Sequence, residues 1–116
     1  MKIISIKAHG ILDYVTVVAF AAIPSIFSLS GVPAYLSYAL AVVHLSMTLL
    51  TNFPLGAFKV IPIKLHKLVE TIVGPALIVI PWILGFSDSL TARYVFIGAG
   101  LVILAVGILT NYFEEA

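Results

Sequence analysis

The chain has 116 residues, 62% of them hydrophobic and 9% charged, with a mean hydropathy of +1.21. A soluble domain carries roughly 25% charged residues to solvate its surface, so six basic and five acidic side chains cannot keep 12.4 kDa in water. A net charge of +1 without a basic stripe excludes a nucleic-acid partner. The absence of cysteine excludes disulfides, thiolate metal sites, cysteine nucleophiles and covalent haem attachment.

The chain starts with a short basic stretch, KIISIK, ahead of an apolar run. That order resembles a secretory signal. The run is longer than a signal core and is copied later in the chain, so a mature helix is expected. Four apolar segments follow in order, at 9–29, 34–52, 66–86 and 93–112. Each has about 20 residues, and a rise of about 1.5 Å per residue carries such a helix across a hydrocarbon core of about 30 Å. Backbone amides must be satisfied internally there, which makes helix the expected form. Turns are predicted at 28–33, 52–56 and 87–89, where Ser, Gly, Pro, Asn and Asp gather.

The most informative feature is an internal repeat. KIISIKAHGILD (2–13) aligns with KVIPIKLHKLVE (59–70), placing Lys2 on Lys59, Lys7 on Lys64, His9 on His66 and Asp13 on Glu70. The same register sets Ile23-Pro24 on Ile80-Pro81. After a two-residue insertion in the turn, Tyr35 meets Tyr94, and Leu50-Thr51-Asn52 meets Leu109-Thr110-Asn111. Chance apolar overlap would not align the rare polar residues as well. The sequence therefore predicts an all-α four-helix transmembrane bundle made of two tandem helical hairpins, 1–56 and 57–116. Each copy has two spans, so both insert the same way up, related by a pseudo-twofold axis along the membrane normal. Lys2, Lys7, Lys59, Lys64 and Lys67 fall on one side and only Arg93 near the other. The positive-inside rule places both termini in the cytoplasm. Tyr35, Tyr38, Trp82 and Tyr94 form an expected outer aromatic belt, and Tyr14, Phe53 and Tyr112 an inner one. The segments KIISIK and KVIPIK are expected to lie in the interface.

His9 and Asp13 are four apart, as are His66 and Glu70, so each pair shares a helix face. A pseudo-twofold would bring both pairs to related positions in the cytoplasmic half. Three readings stay open: an intrahelical hydrogen bond that satisfies both groups, a proton or ion relay, and a divalent metal site. His44 stands apart near the middle of the second span, above Thr48 and Asn52, and its repeat mate is Ile103. An interhelical hydrogen bond to a Ser, Thr or carbonyl is its expected role, with haem ligation and proton relay as the alternatives, and Asn111 is the mate of Asn52. His9 and His66 lie too shallow to share a haem with it. Pro24 and Pro81 bend spans one and three at equivalent points, with Trp82 beside Pro81 also expected in helix packing, and Gly74-Pro75 adds a bend to the third alone. Gly98, Gly100, Ala105 and Gly107 give the fourth span a small-residue face suited to close helix packing. No hydrolase, P-loop, Rossmann or di-iron pattern occurs, and no serine or threonine has a base partner by spacing.

At GPALIVIPWILGF (74–86), Gly74, Pro81, Trp82, Gly85 and Phe86 resemble the SPW-repeat membrane proteins of bacteria and archaea. That resemblance implies a two-helix repeat with its motif near the end of the first helix, in a prokaryotic cytoplasmic (inner) membrane, and supplies no catalytic residue. Ile80 stands where the motif has Ser, and the first copy reads Ile23-Pro24-Ser25 without Trp.

The leading expectation is a non-enzymatic membrane module that packs against lipid, itself or a larger complex, with no cofactor. In it, alanine at His9, Asp13, His66 and Glu70 leaves folding nearly intact. The alternatives are a proton- or ion-handling protein using those four residues, and a protein that binds a divalent metal or another cofactor.

Overall fold

A computed structural model describes residues 2–113; the outer limits of the two predicted repeats, Met1 and 114–116, lie outside them. Among the described residues there are four α-helices: α1 (Ile6–Ile26), α2 (Gly31–Leu50), α3 (Ile63–Ile83) and α4 (Leu90–Leu109). They pack as two hairpins, α1 with α2 and α3 with α4. The longest dimension is 45 Å, which matches a bilayer of about 40–45 Å with its head-group regions.

Each helix begins and ends about three residues before its apolar run. Ser5 and Ser89 start α1 and α4 by accepting from the backbone N–H of Ala8 (3.0 Å) and Ala92 (3.4 Å). The interfacial lead-ins are thereby partly drawn into helix, Ile6 and Lys7 among them. The helices then stop early. At the end of α1, Phe27 N–H donates to Ile23 O and Leu29 N–H to Pro24 O, around Ser28 at φ 53°. Leu84 N–H to Ile80 O and Phe86 N–H to Pro81 O, around Gly85 at φ 78°, end α3 in the same register. This left-handed cap suits glycine and is tolerated by serine at a cost.

Three helices, α1, α2 and α4, are long and apolar enough to cross a membrane, with mean hydropathies of 1.5, 1.4 and 2.2. The four expected spans are thus three by this measure. The exception, α3, is as long as α1 but carries Lys64, Lys67 and Glu70 in its first two turns. Large apolar side chains face outward along the bundle, including Val18, Val42, Ile72, Val79, Ile83 and Leu101. An aqueous surface does not present such a belt.

Phe20, Ala41, Leu77, Phe86, Ala92, Phe96 and Ile103 form the main core. Pro24 is buried there. Its ring has no N–H for the carbonyl of Phe20, and Ser37 of α2 donates to that oxygen at 2.7 Å instead. The bend thereby becomes an interhelical tie. Ser37→Ala should destabilise the first hairpin by about 0.6–1.7 kcal/mol; detergent unfolding at wild-type cost would refute this role. The small-residue face of α4 divides. Gly100 lies against α3, where a Cβ would meet Gly74 O at 2.5 Å, so backbone contact requires glycine. Gly98 opens onto free space, and a Cβ on Gly107 would meet only the Tyr112 hydroxyl, at 3.7 Å. Ala105 is exposed. Trp82, expected in packing, is 54% exposed and points away from the core, while Pro81 is buried.

The two hairpins meet at one end. Ile4 pairs with Thr110, and Ile61 with Thr51, as two short parallel bridges. Ile4 N–H donates to Leu109 O and Asn111 N–H to Ile4 O, both at 2.9 Å. Ile61 N–H donates to Leu50 O and Asn52 N–H to Ile61 O, both at 2.7 Å. The predicted interfacial segments therefore serve as short edges that fix how each helix leaves and enters the bundle.

Candidate functional site

The early end of α2 and α4 decides where the polar residues go. Thr51 and Thr110 fall just outside their helices, in extended backbone with ψ of 139° and 134°. Each turns its hydroxyl inward, and both residues are fully buried. His9 and His66, in the first turns of α1 and α3, are each 1% exposed and meet these hydroxyls. His9 Nδ1 lies 2.8 Å from Thr110 Oγ1, and His66 Nδ1 lies 2.7 Å from Thr51 Oγ1. Each threonine hydroxyl also reaches the carbonyl four residues back, Val106 O or Met47 O, at 2.6 Å. A hydroxyl has one proton, and an oxygen pair this close must contain it. Both threonine oxygens therefore accept from Nδ1–H, and this assigns the proton on each ring.

The other ring nitrogens face two carboxylates. His66 Nε2 lies 2.8 Å from Glu70 Oε1 and 3.1 Å from Asp13 Oδ2. His9 Nε2 lies 3.0 Å from Glu70 Oε2 and 3.3 Å from Asp13 Oδ1. The i,i+4 pairs seen in the sequence thus interlock, each histidine touching its own carboxylate and the one on the other hairpin. The two rings stand edge to face, 5.7 Å apart. One ligand atom can be chosen from each of His9, Asp13, His66 and Glu70 so that all lie within 4.8 Å of one another. All four residues are buried.

No family model, no curated protein and no solved structure matches this chain. Chemistry has to be read from the site itself.

His44 does not stand apart. Its Nε2 reaches Asp13 Oδ1 at 3.3 Å from α2, half-buried beside the four. Glu70 has its own outer partner, because the Tyr112 hydroxyl donates to Glu70 Oε2 at 3.3 Å. Repeat-equivalent positions would give Asp13 a Phe53 and Glu70 an Ile103, neither with a donor. Each carboxylate thus obtains one outer hydrogen bond from a different element. Tyr112, expected in an aromatic belt, is only 5% exposed and packs on His9, with ring centroids 5.1 Å apart. Phe53 covers His66 in the same way at 5.9 Å. Burial, with the Glu70 carboxylate adding to it, pushes the Tyr112 hydroxyl well above its ordinary value, so it stays a donor.

Thr48, Asn52 and Asn111, unlike His44, lie outside this centre. Thr48 is buried but donates to His44 O at 2.8 Å in its own helix. Asn52 is exposed and Asn111 half-buried, and both enter the fold through their backbone N–H groups. Two openings approach the four residues. A cavity of about 200 Å³ runs from Lys2 and Lys67 to Glu70. An apolar crevice of about 600 Å³ lies between α1 and α4, and a small void sharing its Leu12, Thr16 and Val106 touches Asp13, His44 and Glu70.

Proposed function

We propose that this chain is a non-enzymatic module of a prokaryotic cytoplasmic membrane, in which a buried polar centre clasps two parallel hairpins. The observation that carries it is the crossing of partners: His9 Nε2 lies 3.0 Å from Glu70 Oε2 and His66 Nε2 lies 3.1 Å from Asp13 Oδ2, each between hairpins. A polar contact placed in oil cannot be exchanged for water, so the partners hold one another. The expectation that alanine at these four positions leaves folding intact is therefore reversed.

All four helices cross in this proposal. The bridges at Thr51–Ile61 and Ile4–Thr110 keep the starts of α1 and α3 and the ends of α2 and α4 at one level, which supports a full crossing by α3. The caps, bridges and ring contacts recur in the register that aligns Lys2 with Lys59, which supports a doubled hairpin. Lys2, Lys59, Lys64 and Lys67 lie at the level of the bridges, which supports a cytoplasmic position for that end. The likeness to SPW-repeat proteins rests on Gly74, Pro81, Trp82, Gly85 and Phe86 alone, and self-association or docking to a larger membrane complex belongs to the same proposal. The chain has no cysteine, so single introduced thiols report topology cleanly. Asp88→Cys should react with a membrane-impermeant reagent in intact cells, and Ala57→Cys only after permeabilisation. The opposite pattern would invert the protein, and labelling of both in intact cells would refute the membrane fold.

A second reading, proton or ion handling, is favoured by the two openings that reach Glu70 and Asp13 from different sides. Protein in liposomes would then pass ions in a pH-dependent way that is lost in Asp13→Asn or Glu70→Gln. Absence of flux at every pH would remove that reading.

A further inference from the structure

We infer that the clasp is a metal centre: His9, Asp13, His66 and Glu70 bind one first-row divalent transition-metal ion between the two hairpins. This deepens the proposed module and rests on it for the membrane setting. With both Nδ1–H groups committed to threonine oxygens, neutral His9 and His66 present lone pairs at Nε2. Lone pairs facing carboxylate oxygens at 2.8–3.3 Å repel unless a cation lies between them.

Protonation of Nε2 is the other way to supply positive charge; His66 Nε2 is aligned for it with Glu70 Oε1 at 2.8 Å, so direction separates the two at His9. A proton on His9 Nε2 would need an acceptor along its bond, yet this buried nitrogen makes no aligned hydrogen bond, although Glu70 Oε2 is only 3.0 Å away. Asp13 Oδ2, also buried, likewise lacks one, although His66 Nε2 is 3.1 Å away. Two unpartnered polar atoms on different residues, each inside the cluster, are what a central ligand would satisfy. Their spacing suits one. Donors about 2.0–2.2 Å from a metal lie about 3.3–3.6 Å apart in a tetrahedron, and about 2.8–3.1 Å apart at right angles with about 4.0–4.4 Å across the ion. The histidine–carboxylate distances, which involve both oxygens of each carboxylate, are 3.3, 3.0, 3.1 and 2.8 Å, and one donor from each residue can be chosen with all four within 4.8 Å, so the donors draw in slightly around an ion.

The donor set narrows the ion. Two imidazoles with two carboxylates suit Zn²⁺, Fe²⁺ or Mn²⁺, and the lack of thiolate disfavours Cu⁺. Two carboxylates and a dication sum to zero charge, as a buried site in a membrane requires. Outside the donors, each has a fixed partner: Thr110 and Thr51 hold the two Nδ1–H groups, His44 donates to Asp13, and Tyr112 donates to Glu70. Such an outer layer orients metal ligands.

The test uses the full chain purified into nanodiscs without chelator. Elemental analysis should find about one ion per chain, and metal-stripped protein should take up one Zn²⁺ by titration calorimetry. His9→Gln and His66→Gln should abolish uptake. Because those variants could fail to fold, His44→Ala and Tyr112→Phe keep all four donors and should weaken Zn²⁺ about 10–100-fold. Co²⁺ loaded in place of Zn²⁺ should give visible absorption that both donor variants lose. Wild-type protein that is helical, metal-free and indifferent to millimolar Zn²⁺ would overturn the proposal, as would unchanged Zn²⁺ affinity in folded donor variants. If no metal binds but Asp13→Ala still loosens the hairpins, the metal falls and the clasp stands. If metal binds and Asp13→Ala leaves the hairpins as tight as before, the clasp falls instead.

Discussion

Replacing Asp13 by alanine should destabilise the folded protein by about 3–5 kcal/mol, the cost of breaking a buried charge set by removing one partner. No other side chain in the centre touches three imidazoles: His9 and His44 at 3.3 Å and His66 at 3.1 Å. Its removal leaves His9 and His66 sharing the single carboxylate of Glu70 and takes from His44 its carboxylate partner, without water to replace the lost oxygens. The first and second hairpins lose their shared anion together, so the loss should show as separation of the halves and not as fraying of α1. Reversible unfolding in mixed micelles gives the number. Asp88→Ala, at an exposed acid in the loop before α4, serves as the control and should stay within about 0.5 kcal/mol of wild type. Equal behaviour of the two variants would mean that the centre holds nothing together.

The two threonines give the second large effect. Thr51→Val and Thr110→Val keep shape and volume but remove the oxygen that accepts from Nδ1–H of His66 and His9. A buried donor left without an acceptor costs about 1–3 kcal/mol. The two variants should cost similar amounts, because the bonds are 2.7 and 2.8 Å and both residues are fully buried. Serine at either position keeps the hydroxyl and should recover most of the loss, whereas a role in packing alone would make valine the milder change. Unfolding midpoints of the four variants distinguish these outcomes.

Much of this arrangement is legible in the sequence, for reasons that can be traced. Apolar length marks the helices, and the i,i+4 spacing of His9 with Asp13 and His66 with Glu70 puts each pair on one face. The aligned repeat then directs both faces to one place. Other features are not legible. The helices shift by about three residues: Ser5 and Ser89 cap the starts of α1 and α4, a left-handed residue, Ser28 or Gly85, closes α1 and α3, and α2 and α4 stop where Leu50 O and Leu109 O accept from Ile61 N–H and Ile4 N–H. Only that shift takes Thr51 and Thr110 out of helix and turns them inward, so a reading that keeps them helical misses them. Their aligned positions, one residue before Asn52 and Asn111, were the available signal. His44 breaks the repeat and stands isolated in one dimension, because its approach to Asp13 depends on how α1 and α2 pack. Tyr112 resembles any interfacial aromatic until the backbone after α4 folds back over His9. Ser37 gives no local sign at all, since its partner is a carbonyl freed by Pro24 on another helix.

The clasp is tested most directly by a double-mutant cycle between His9 and Glu70, which touch at 3.0 Å from opposite hairpins. Unfolding free energies of wild type, His9→Ala, Glu70→Ala and the double variant should show a coupling of about 0.5–3 kcal/mol, the range for residues sharing one network. Costs that add within about 0.3–0.5 kcal/mol, as they do for distant sites, would contradict it.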